Sequence, residues 1–138
     1  MVFLYPIIMK PIIKFEIGEE YGLYEFELEF RYSYINQQGY EYMVYKYLGN
    51  DVIDVLGCEI KQPILLAYNA DILSHIIIYV AGSCFSYLNS TLFGNSNSVN
   101  DNIKEHRLKK LVFKFIEEYP FSCLIISDIK HSFNYHKL

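Results

Sequence analysis

Apolar and polar side chains alternate strictly along residues 25–34. The apolar positions are Phe26, Leu28, Phe30, Tyr32 and Tyr34. A period of two is typical of a β-strand with one buried face. Residues 36–39 form a polar run containing Gly39, the composition of a hairpin loop, and residues 40–48 are rich in the Tyr and Val that favour strands. The pattern therefore predicts a two-stranded hairpin around which the rest of the chain is organised.

The register of this hairpin follows from its loop. Whether the loop is formed by residues 37–38 or by residues 36–39, Ile35 lies opposite Tyr40. The facing pairs are then Leu28 with Tyr47, Phe30 with Tyr45, Tyr32 with Met43 and, on the other face, Glu29 with Lys46. Apolar groups meet apolar groups and opposite charges meet, and each such pair contributes roughly 0.2 to 1 kcal/mol. The chemistry of the pairs supports this register.

The second face of the hairpin combines acids with tyrosines. Its candidate contact residues are Glu25, Glu27, Glu29, Tyr40 and Tyr42. Tight protein interfaces use tyrosine anchors and complementary charge, so we expect these five residues to bind a positively charged protein. The alternative is an outer face that is covered by the N-terminal segment or is solvated, with Arg31 and Lys46 as internal partners of the acids. A metal site is not expected, because successive carboxylates on one strand face lie about 6.6 to 6.8 Å apart.

Shorter segments on either side of the hairpin also have strand character. Ile12–Ile17 alternates and is predicted to be a strand that leads through a turn at Gly18–Gly22 into the hairpin. Residues 52–56 and 58–66 predict one or two further strands, interrupted at Gly57.

The period changes in Asn69–Leu92. Apolar residues recur there at spacings of three and four, at Ile72, Leu73, Ile76, Ile77, Val80, Cys84, Tyr87 and Leu88. This spacing predicts an amphipathic helix capped by Asn69. The competing interpretation is a strand over residues 75–81, because β-branched residues lower helix propensity. Polar residues such as Ser83 and Ser86 interrupt the continuous apolar run of about 20 residues that a membrane span requires, so a membrane role is not expected.

A second helix is predicted after the polar loop Gly94–Asn100. Asn102 and Glu105 have the spacing of a capping box, and the apolar residues Leu108, Leu111, Val112, Phe115 and Ile116 form one stripe before Pro120 ends the helix. The opposite face would carry Arg107, Lys110 and Lys114. This basic strip is small, and a solvated helix face explains it better than a nucleic-acid site.

The last apolar run completes the predicted sheet. Phe121–Ile129 has the composition of a buried strand, and Lys130–Leu138 is expected to fray. The elements together predict an α+β fold, with a mainly antiparallel sheet of four to six strands and two helices packed on one face. The 138 residues fit a single globular domain, residues 1–138, which is large enough to bury about two thirds of its unfolded surface.

Charge is distributed unevenly along the chain. The formal net charge is -4, but residues 1–60 carry ten acids against four bases, a balance of -6, and the remainder carries +2. An acidic half disfavours binding to nucleic acid, where positive charge supplies most of the affinity. It favours a basic protein partner instead.

The cysteines and the N-terminus bear on the cellular compartment. Cys58, Cys84 and Cys123 are widely spaced and odd in number, with no CxxC, so neither a disulfide framework nor a zinc site is expected. A reducing cytoplasm fits this usage. The opening segment is apolar, but it has no basic n-region or small-residue cleavage site and contains Pro6 and Pro11, so we do not interpret it as a signal peptide.

Catalytic motifs are absent from the sequence, which has no phosphate-binding glycine loop, HExxH or GxSxG. No cofactor and no enzymatic activity are expected. His75 and Asp71 at helical i and i+4 spacing could serve a small hydrolase or ligand-binding domain, in a pocket between the sheet and the 69–92 helix. A structural or surface pair is the more ordinary interpretation. Cys58 is the least implausible thiol nucleophile, since Cys84 and Cys123 fall in apolar surroundings.

In size, acidity, aromatic richness and lack of catalytic motifs, the chain is similar to the bacterial immunity proteins that neutralise secreted toxins. The resemblance is one of composition and assigns no residues. It implies a protein-binding inhibitor that blocks a basic enzyme, for instance a toxin nuclease, through electrostatic steering and occlusion. An oligomeric accessory protein is a third possibility, for example a homodimer in which one acidic sheet meets another subunit's basic helix.

Overall fold

The protein is described by a computed structural model that covers residues 13–93, 97–100 and 102–132. Its strands are β1 (Leu28–Ile35), β2 (Glu41–Tyr47), β3 (Asp54–Val55), β4 (Cys58–Glu59), β5 (Leu65–Asn69), β6 (Ile72–Ala81), β7 (Asn97–Asn100), β8 (Ile103–Leu108), β9 (Leu111–Ile116) and β10 (Phe121–Asp128). Its α-helices are α1 (Phe85–Phe93) and α2 (Ile129–Ser132), and 3-10 turns lie at Tyr21–Leu23, Glu25–Glu27 and Gly82–Cys84.

One antiparallel sheet contains eight of these strands, in the order β1-β2-β5-β6-β10-β9-β8-β7. The remaining two, β3 and β4, form a separate two-stranded ribbon. β6 and β10 pair at the centre of the sheet, where Ile77 lies opposite Ile125. Residues 73–78 and 122–127 are all buried, because both faces of these strands are covered. Such strands have continuous apolar sequences rather than alternating ones.

The two faces of the sheet are covered differently. On the first, which we call the α1 face, Phe85 and Leu88 of α1 join a core with Phe115 and Leu124, and Val55 of the β3–β4 ribbon is buried in the same core. On the opposite face, the α2 face, Ile77 is buried in a second apolar cluster together with residues of β10, and His131 of α2 lies over Tyr42 of β2. The helices therefore lie on opposite faces.

The prediction of an antiparallel sheet with α+β character is confirmed at that coarse level. The strand count of four to six was too low, since eight strands form the sheet in the described residues. The placement of two helices on one face was also wrong, and both helices are short, with nine residues in α1 and four in α2. Most of the residues predicted to be helical are strands.

The predicted helix Asn69–Leu92 is mainly the strand β6 followed by α1. A turn at Ala70 and Asp71, both with positive φ, connects β5 to β6. The competing interpretation, a strand over residues 75–81, was the correct one for that part. The helix-like spacing arises because residues on both faces of β6 are apolar, which removes the period of two.

The predicted helix after Asn102 is a hairpin of β8 and β9. The turn between them places Lys109 at a φ of 57°. Arg107 lies on β8 and Lys114 on β9, so no helix aligns a basic strip. The predicted strand at Phe121–Ile129 is confirmed as β10, which ends at Asp128.

The predicted hairpin is present, and its register is correct at its open end only. Leu28 pairs with Tyr47, Glu29 with Lys46 and Phe30 with Tyr45, as expected. A bulge at Arg31 then shifts the register, so that Tyr32 faces Val44 and Ile35 faces Glu41. An extra residue in one strand reverses the faces of all residues after it. The predicted pairs of Tyr32 with Met43 and of Ile35 with Tyr40 were therefore wrong.

The segment before the hairpin is ordered without being a strand. Of the predicted strand Ile12–Ile17, residues 13–17 are in turns and irregular structure, and residue 12 lies outside the described residues. Ile13 and Phe15 are nevertheless buried in the α1-face core. The backbone of Gly18 donates to Leu73 at 2.9 Å, which fixes this segment beside β6.

Two predictions fall partly outside the described residues. Of the predicted loop Gly94–Asn100, residues 97–100 form β7, and residues 94–96 are not described. Of the tail Lys130–Leu138, residues 130–132 belong to α2, and the remainder is likewise not described. None of the described helices is both long and apolar enough to span a membrane.

Candidate functional site

The five predicted contact residues do not share one accessible face. Glu25 and Glu27 lie in a 3-10 turn before β1 rather than in the strand, and Glu29 is in β1. All three acids are exposed, and Tyr40 is half-buried. Tyr42 has only 1% of its surface exposed. The expectation that tyrosines and carboxylates stand together on one open sheet face was wrong in this geometry, while the partner-binding role of the acids stays a prediction.

Tyr42 is an interior residue of the α2 face. Its hydroxyl lies 2.6 Å from His131 Nδ1, and its ring stacks with Tyr34 at 6.2 Å between centroids. Tyr34 reaches this face because the Arg31 bulge reverses the side-chain directions of β1. Tyr42 therefore cannot contact a partner without unfolding of the α2 face.

The exposed surface near the acids is instead the outer edge of the sheet. β1 is the edge strand, and Phe30 on it is 51% exposed. Phe26, between Glu25 and Glu27, is 92% exposed. We use the name β1 edge for Glu25, Phe26, Glu29, Phe30 and Tyr32. Edge strands offer backbone groups that can pair with another chain, and natural proteins usually shorten or charge them to prevent this.

The opposite edge of the sheet is built differently. β7 has four residues with the sequence NSVN, whereas β1 has eight residues and includes three large exposed apolar side chains, Phe30, Tyr32 and Ile35. A short polar strand is one of the ordinary ways in which a sheet edge is protected. The β1 edge has the length and the apolar groups that an interface uses, together with acidic neighbours.

Behind the β1 edge, a polar network ties the N-terminal segment to the hairpin. Lys14 Nζ donates to Tyr47 Oη at 2.8 Å and to Asp51 Oδ2 at 2.9 Å. Tyr47 Oη lies 2.7 Å from Asp51 Oδ1 and 2.9 Å from Glu27 Oε2. Since the hydroxyl has one hydrogen, it donates to one of these carboxylates at a time. The Lys14 ammonium also lies 5.0 Å from the centroids of the Tyr24 and Tyr47 rings, within cation–π distance.

The charge states of this network follow from its hydrogen bonds. The hydrogen bonds from Lys14 to Tyr47 and to Asp51 raise the pKa of Lys14 above its ordinary value. The bond from Lys14, and then that from Tyr47, lowers the pKa of Asp51 to about 2. Burial raises the pKa of Tyr47 to about 12, although Lys14 opposes this shift. At neutral pH the network therefore combines the Lys14 cation, the neutral Tyr47 phenol and the Asp51 carboxylate, and Glu27 is already hydrogen-bonded to Tyr47.

The three candidate acids consequently differ in availability. Glu27 bonds to Tyr47, and Glu29 forms an ion pair with Lys46 at 3.4 Å, as the register predicted. Glu25 makes no ion pair among the described residues. Exposed ion pairs of this kind stabilise by less than about 1 kcal/mol, so Glu29 can exchange Lys46 for a partner's base at little cost.

A groove of about 360 Å³ lies beside this end of the hairpin. Its walls include Leu48 and Val52 from the loop after β2, and Ile53, Ile60 and Pro63 beside the β3–β4 ribbon. Leu48 and Ile53 are 52% and 69% exposed. Lys46 lines the groove and reaches Glu29, so the groove adjoins the β1 edge. This volume is at the lower end of the range for ligand pockets.

The histidine that the catalytic hypothesis used is buried. His75 lies on β6 with 1% exposed surface, and Asp71 is an exposed turn residue. The i and i+4 pairing required a helix that is absent from this segment. No pocket between the sheet and a 69–92 helix exists for the same reason.

His75 belongs instead to a ring cluster on the α2 face. Its centroid lies 5.2 Å from that of Tyr42 and 6.1 Å from that of His131. Ser74 Oγ donates to the Ala67 carbonyl at 3.0 Å and lies within hydrogen-bond distance of His75 Nδ1, at 2.9 Å. Nε2 of His75 has no hydrogen bond of good geometry in the described structure.

Burial keeps this cluster uncharged. Burial lowers the pKa of His75 to about 3. A positive charge on His131 or Lys114 would lower this pKa further, whereas the nearby backbone of His131 raises it. Burial also lowers the pKa of His131, where Asp128 acts in the opposite direction. The described residues contain no group of three or more His, Cys, Asp or Glu side chains that could hold a metal ion.

Several residues of these clusters could not be identified from the sequence. Lys14 and Asp51 are 37 positions apart, and nothing in their local patterns links them. His131 was assigned to a frayed tail, whereas it is 4% exposed. Only the position of Tyr47 could be predicted, because the correct part of the register placed it opposite Leu28.

Comparison with known proteins gives no relative, since no protein family, curated protein or solved structure matches the chain. Its function is therefore inferred from its own residues.

Proposed function

We propose that the protein is a stoichiometric protein-binding inhibitor that captures a basic enzyme, such as a nuclease-type toxin, along its β1 edge. The observation that carries this proposal is the 92% exposure of Phe26 between two glutamates, next to an edge strand that exposes Phe30. Aromatic anchors surrounded by charge are typical of the residues that dominate binding energy in protein interfaces.

The backbone of β1 supports the same interpretation. A partner strand can add to an exposed sheet edge, where main-chain hydrogen bonds supply affinity and alternate side chains supply specificity. β1 has eight residues, enough for such pairing, although the Arg31 bulge divides it. The part before the bulge, residues 28–30, is closest to Phe26 and the acids.

Charge determines the kind of partner. The β1 edge carries Glu25 and Glu29, and residues 1–60 have a balance of -6. Complementary charge accelerates association and excludes partners of the wrong sign more than it adds raw affinity. A basic protein surface is therefore the expected partner. Relative to the sequence prediction, the proposed contact set loses Glu27, Tyr40 and Tyr42 and gains Phe26, Phe30 and Tyr32.

The test begins with cross-linking of the tagged protein in its native cells and identification of the captured protein by mass spectrometry. The captured protein is then purified, and its association and dissociation rates are measured against wild type, the double variant E25K/E29K and F26S. We expect the charge reversal to slow association by about tenfold or more and to reduce its salt dependence. F26S is expected to raise the dissociation rate by about tenfold, as loss of an anchor does.

Matched controls separate binding from folding. Y119S removes an aromatic ring that is 73% exposed, and D54K reverses an exposed acid on β3, so both should bind like wild type. If the captured protein is an enzyme, its activity should fall to completion at one equivalent of wild type. Equal rates for F26S and Y119S, or a captured protein of acidic surface, would contradict the proposal. A dimer of the chain alone that F26S dissociates would show that the edge serves self-association instead.

A further inference from the structure

Two cysteines that are distant in sequence are neighbours on the α1 face. Cys58 begins β4 and is 4% exposed in the core. Cys84 ends the 3-10 turn before α1, is half-buried, and packs against the same core. Burial, and then the neighbouring Cys84 thiol, raises the pKa of Cys58 to about 12.

Contacts on both sides of the pair hold it in place. Tyr87 Oη on α1 donates to the carbonyl of Leu56 at 3.1 Å, two residues before Cys58. Ile60, two residues after Cys58, forms an antiparallel bridge with Val80 of β6. The ribbon is thus attached to α1 and to the sheet within two residues of Cys58. The neighbourhood of the thiols does not depend on a single side-chain rotamer.

We propose that Cys58 and Cys84 are a dithiol modification site, which a low-molecular-weight disulfide such as glutathione disulfide converts into an intramolecular disulfide. Cys84 is the attacking thiol, because it is the more accessible of the two. Cys58 is the resolving thiol, because the contacts at Leu56 and Ile60 hold its strand beside the turn that carries Cys84.

The exchange balances in two steps. The Cys84 thiolate attacks one sulfur of glutathione disulfide, forms a mixed disulfide and releases one glutathione thiolate, which takes up the proton that Cys84 lost. Cys58 then loses its proton and attacks the Cys84 sulfur, and the second glutathione leaves as thiolate and takes up that proton. Both cysteines are oxidised, and one glutathione disulfide is reduced to two glutathione thiols.

The third cysteine, Cys123, serves as an internal control that should not be oxidised. Cys123 is 2% exposed and lies on the α2 face, in the cluster of Ile77 and Ile125. The sheet separates it from Cys58 and Cys84, so it has no access to either. Its burial in an apolar cluster also protects it from the oxidant.

Closure of the disulfide would fasten the ribbon to the start of α1. Ile53, Glu59 and Ile60, on or beside the ribbon, form one wall of the groove, so oxidation would fix that wall. A cross-link between residues 58 and 84 also restricts the unfolded chain. We therefore expect oxidation to raise the melting temperature, by on the order of 5 to 10 °C for a domain of this size.

The test uses the reduced full-length protein, incubated with excess glutathione disulfide at mildly alkaline pH without oxygen. The expected product of wild type is a monomer lighter by two hydrogens, with a peptide map that joins Cys58 to Cys84. C58S should stop as a mixed disulfide that carries one glutathione, because the resolving thiol is missing. C84S should remain unmodified over the same time, and C123S should behave like wild type.

A second measurement covers variants that fold poorly. Dibromobimane becomes fluorescent when it bridges two neighbouring thiols, so wild type and C123S should become fluorescent, and C84S should not. The proposal is overturned if wild type accumulates the mixed disulfide, if the disulfide joins two chains, or if C84S is oxidised as fast as wild type.

Discussion

Because His75 is buried, the free energy of unfolding should fall in mild acid. The imidazole is 1% exposed and hydrogen-bonds to Ser74, and burial lowers the pKa of the ring to about 3 from its ordinary 6.5. The described titratable groups facing it are His131 on α2 and Lys114 on β9, and a positive charge on either one disfavours its protonation. In the unfolded chain the same ring is hydrated and titrates normally.

The size of the effect follows from the difference between the two pKa values. Between pH 6.5 and 3 the unfolded chain binds a proton at His75 that the folded chain does not, so the free energy of unfolding falls as the pH falls. The slope is about 1.4 kcal/mol for each pH unit. At pH 5, which is 1.5 units below the ordinary pKa, the loss relative to neutral pH is about 2 kcal/mol. Burial also lowers the pKa of His131, so it adds to the loss in the same direction.

Urea unfolding at several pH values between 5 and 7.5 would measure this loss in wild type and in H75Q. The window lies above the ordinary pKa values of Asp and Glu, so carboxylates contribute little to the slope. Glutamine is polar and of similar size but does not titrate. We expect H75Q to be less stable at neutral pH and to lose about 2 kcal/mol less than wild type on acidification to pH 5. H106Q, which keeps His75, should retain the loss that His75 causes. An H75Q slope equal to that of wild type would refute the buried, neutral imidazole.

Three further substitutions test individual contacts. N36A should cost about 1 to 3 kcal/mol in urea unfolding, because Asn36 Oδ1 accepts two backbone N–H groups in the β1–β2 loop, and an unchanged midpoint would exclude that role. G49A should cost about 1 to 3 kcal/mol in urea unfolding, since a Cβ there would overlap with the Tyr47 hydroxyl, and wild-type stability would show that this ring moves freely. K14M should raise the pKa of Asp51 from about 2 towards its ordinary value, as measured by NMR titration of its carboxyl carbon, and a constant value would contradict the bond from Lys14.

The sequence predicted the hairpin but not the bulge within it. Cross-strand chemistry chose the correct pairs up to Phe30, because Leu28 and Phe30 face the aromatic rings of β2. One extra residue at Arg31 then directs Tyr32 to the α2 face. No local rule signals this bulge, since the alternation of residues 25–34 continues unbroken through it. The stacking of Tyr34 on Tyr42 is formed only after the strands pair.

The helix predictions failed where strands are apolar on both faces. In β9, Val112 faces one side of the sheet and Phe113 the other, and both are buried. Such a strand contains apolar residues at spacings of three and four as well as two, so a helical stripe can be traced through it. Phe113 does not belong to the predicted helical stripe, yet only 4% of its surface is exposed. A strand with two buried faces explains this burial.

For the proposed site, the sequence predicted the exposed acids but not the burial of Tyr42, because that burial depends on contacts formed across the sheet. Glu25, Glu27 and Glu29 precede Arg31, so their positions do not depend on the register after it. Tyr42 lies on the α2 face of β2, as the register predicted, but Tyr34, which the bulge turns to this face, and His131 of α2 cover it. An edge strand divided in this way is protected in its middle, because a bulge interrupts pairing with another chain. The protection does not extend to Phe26 and Phe30, and for this reason we place the interface at the start of β1.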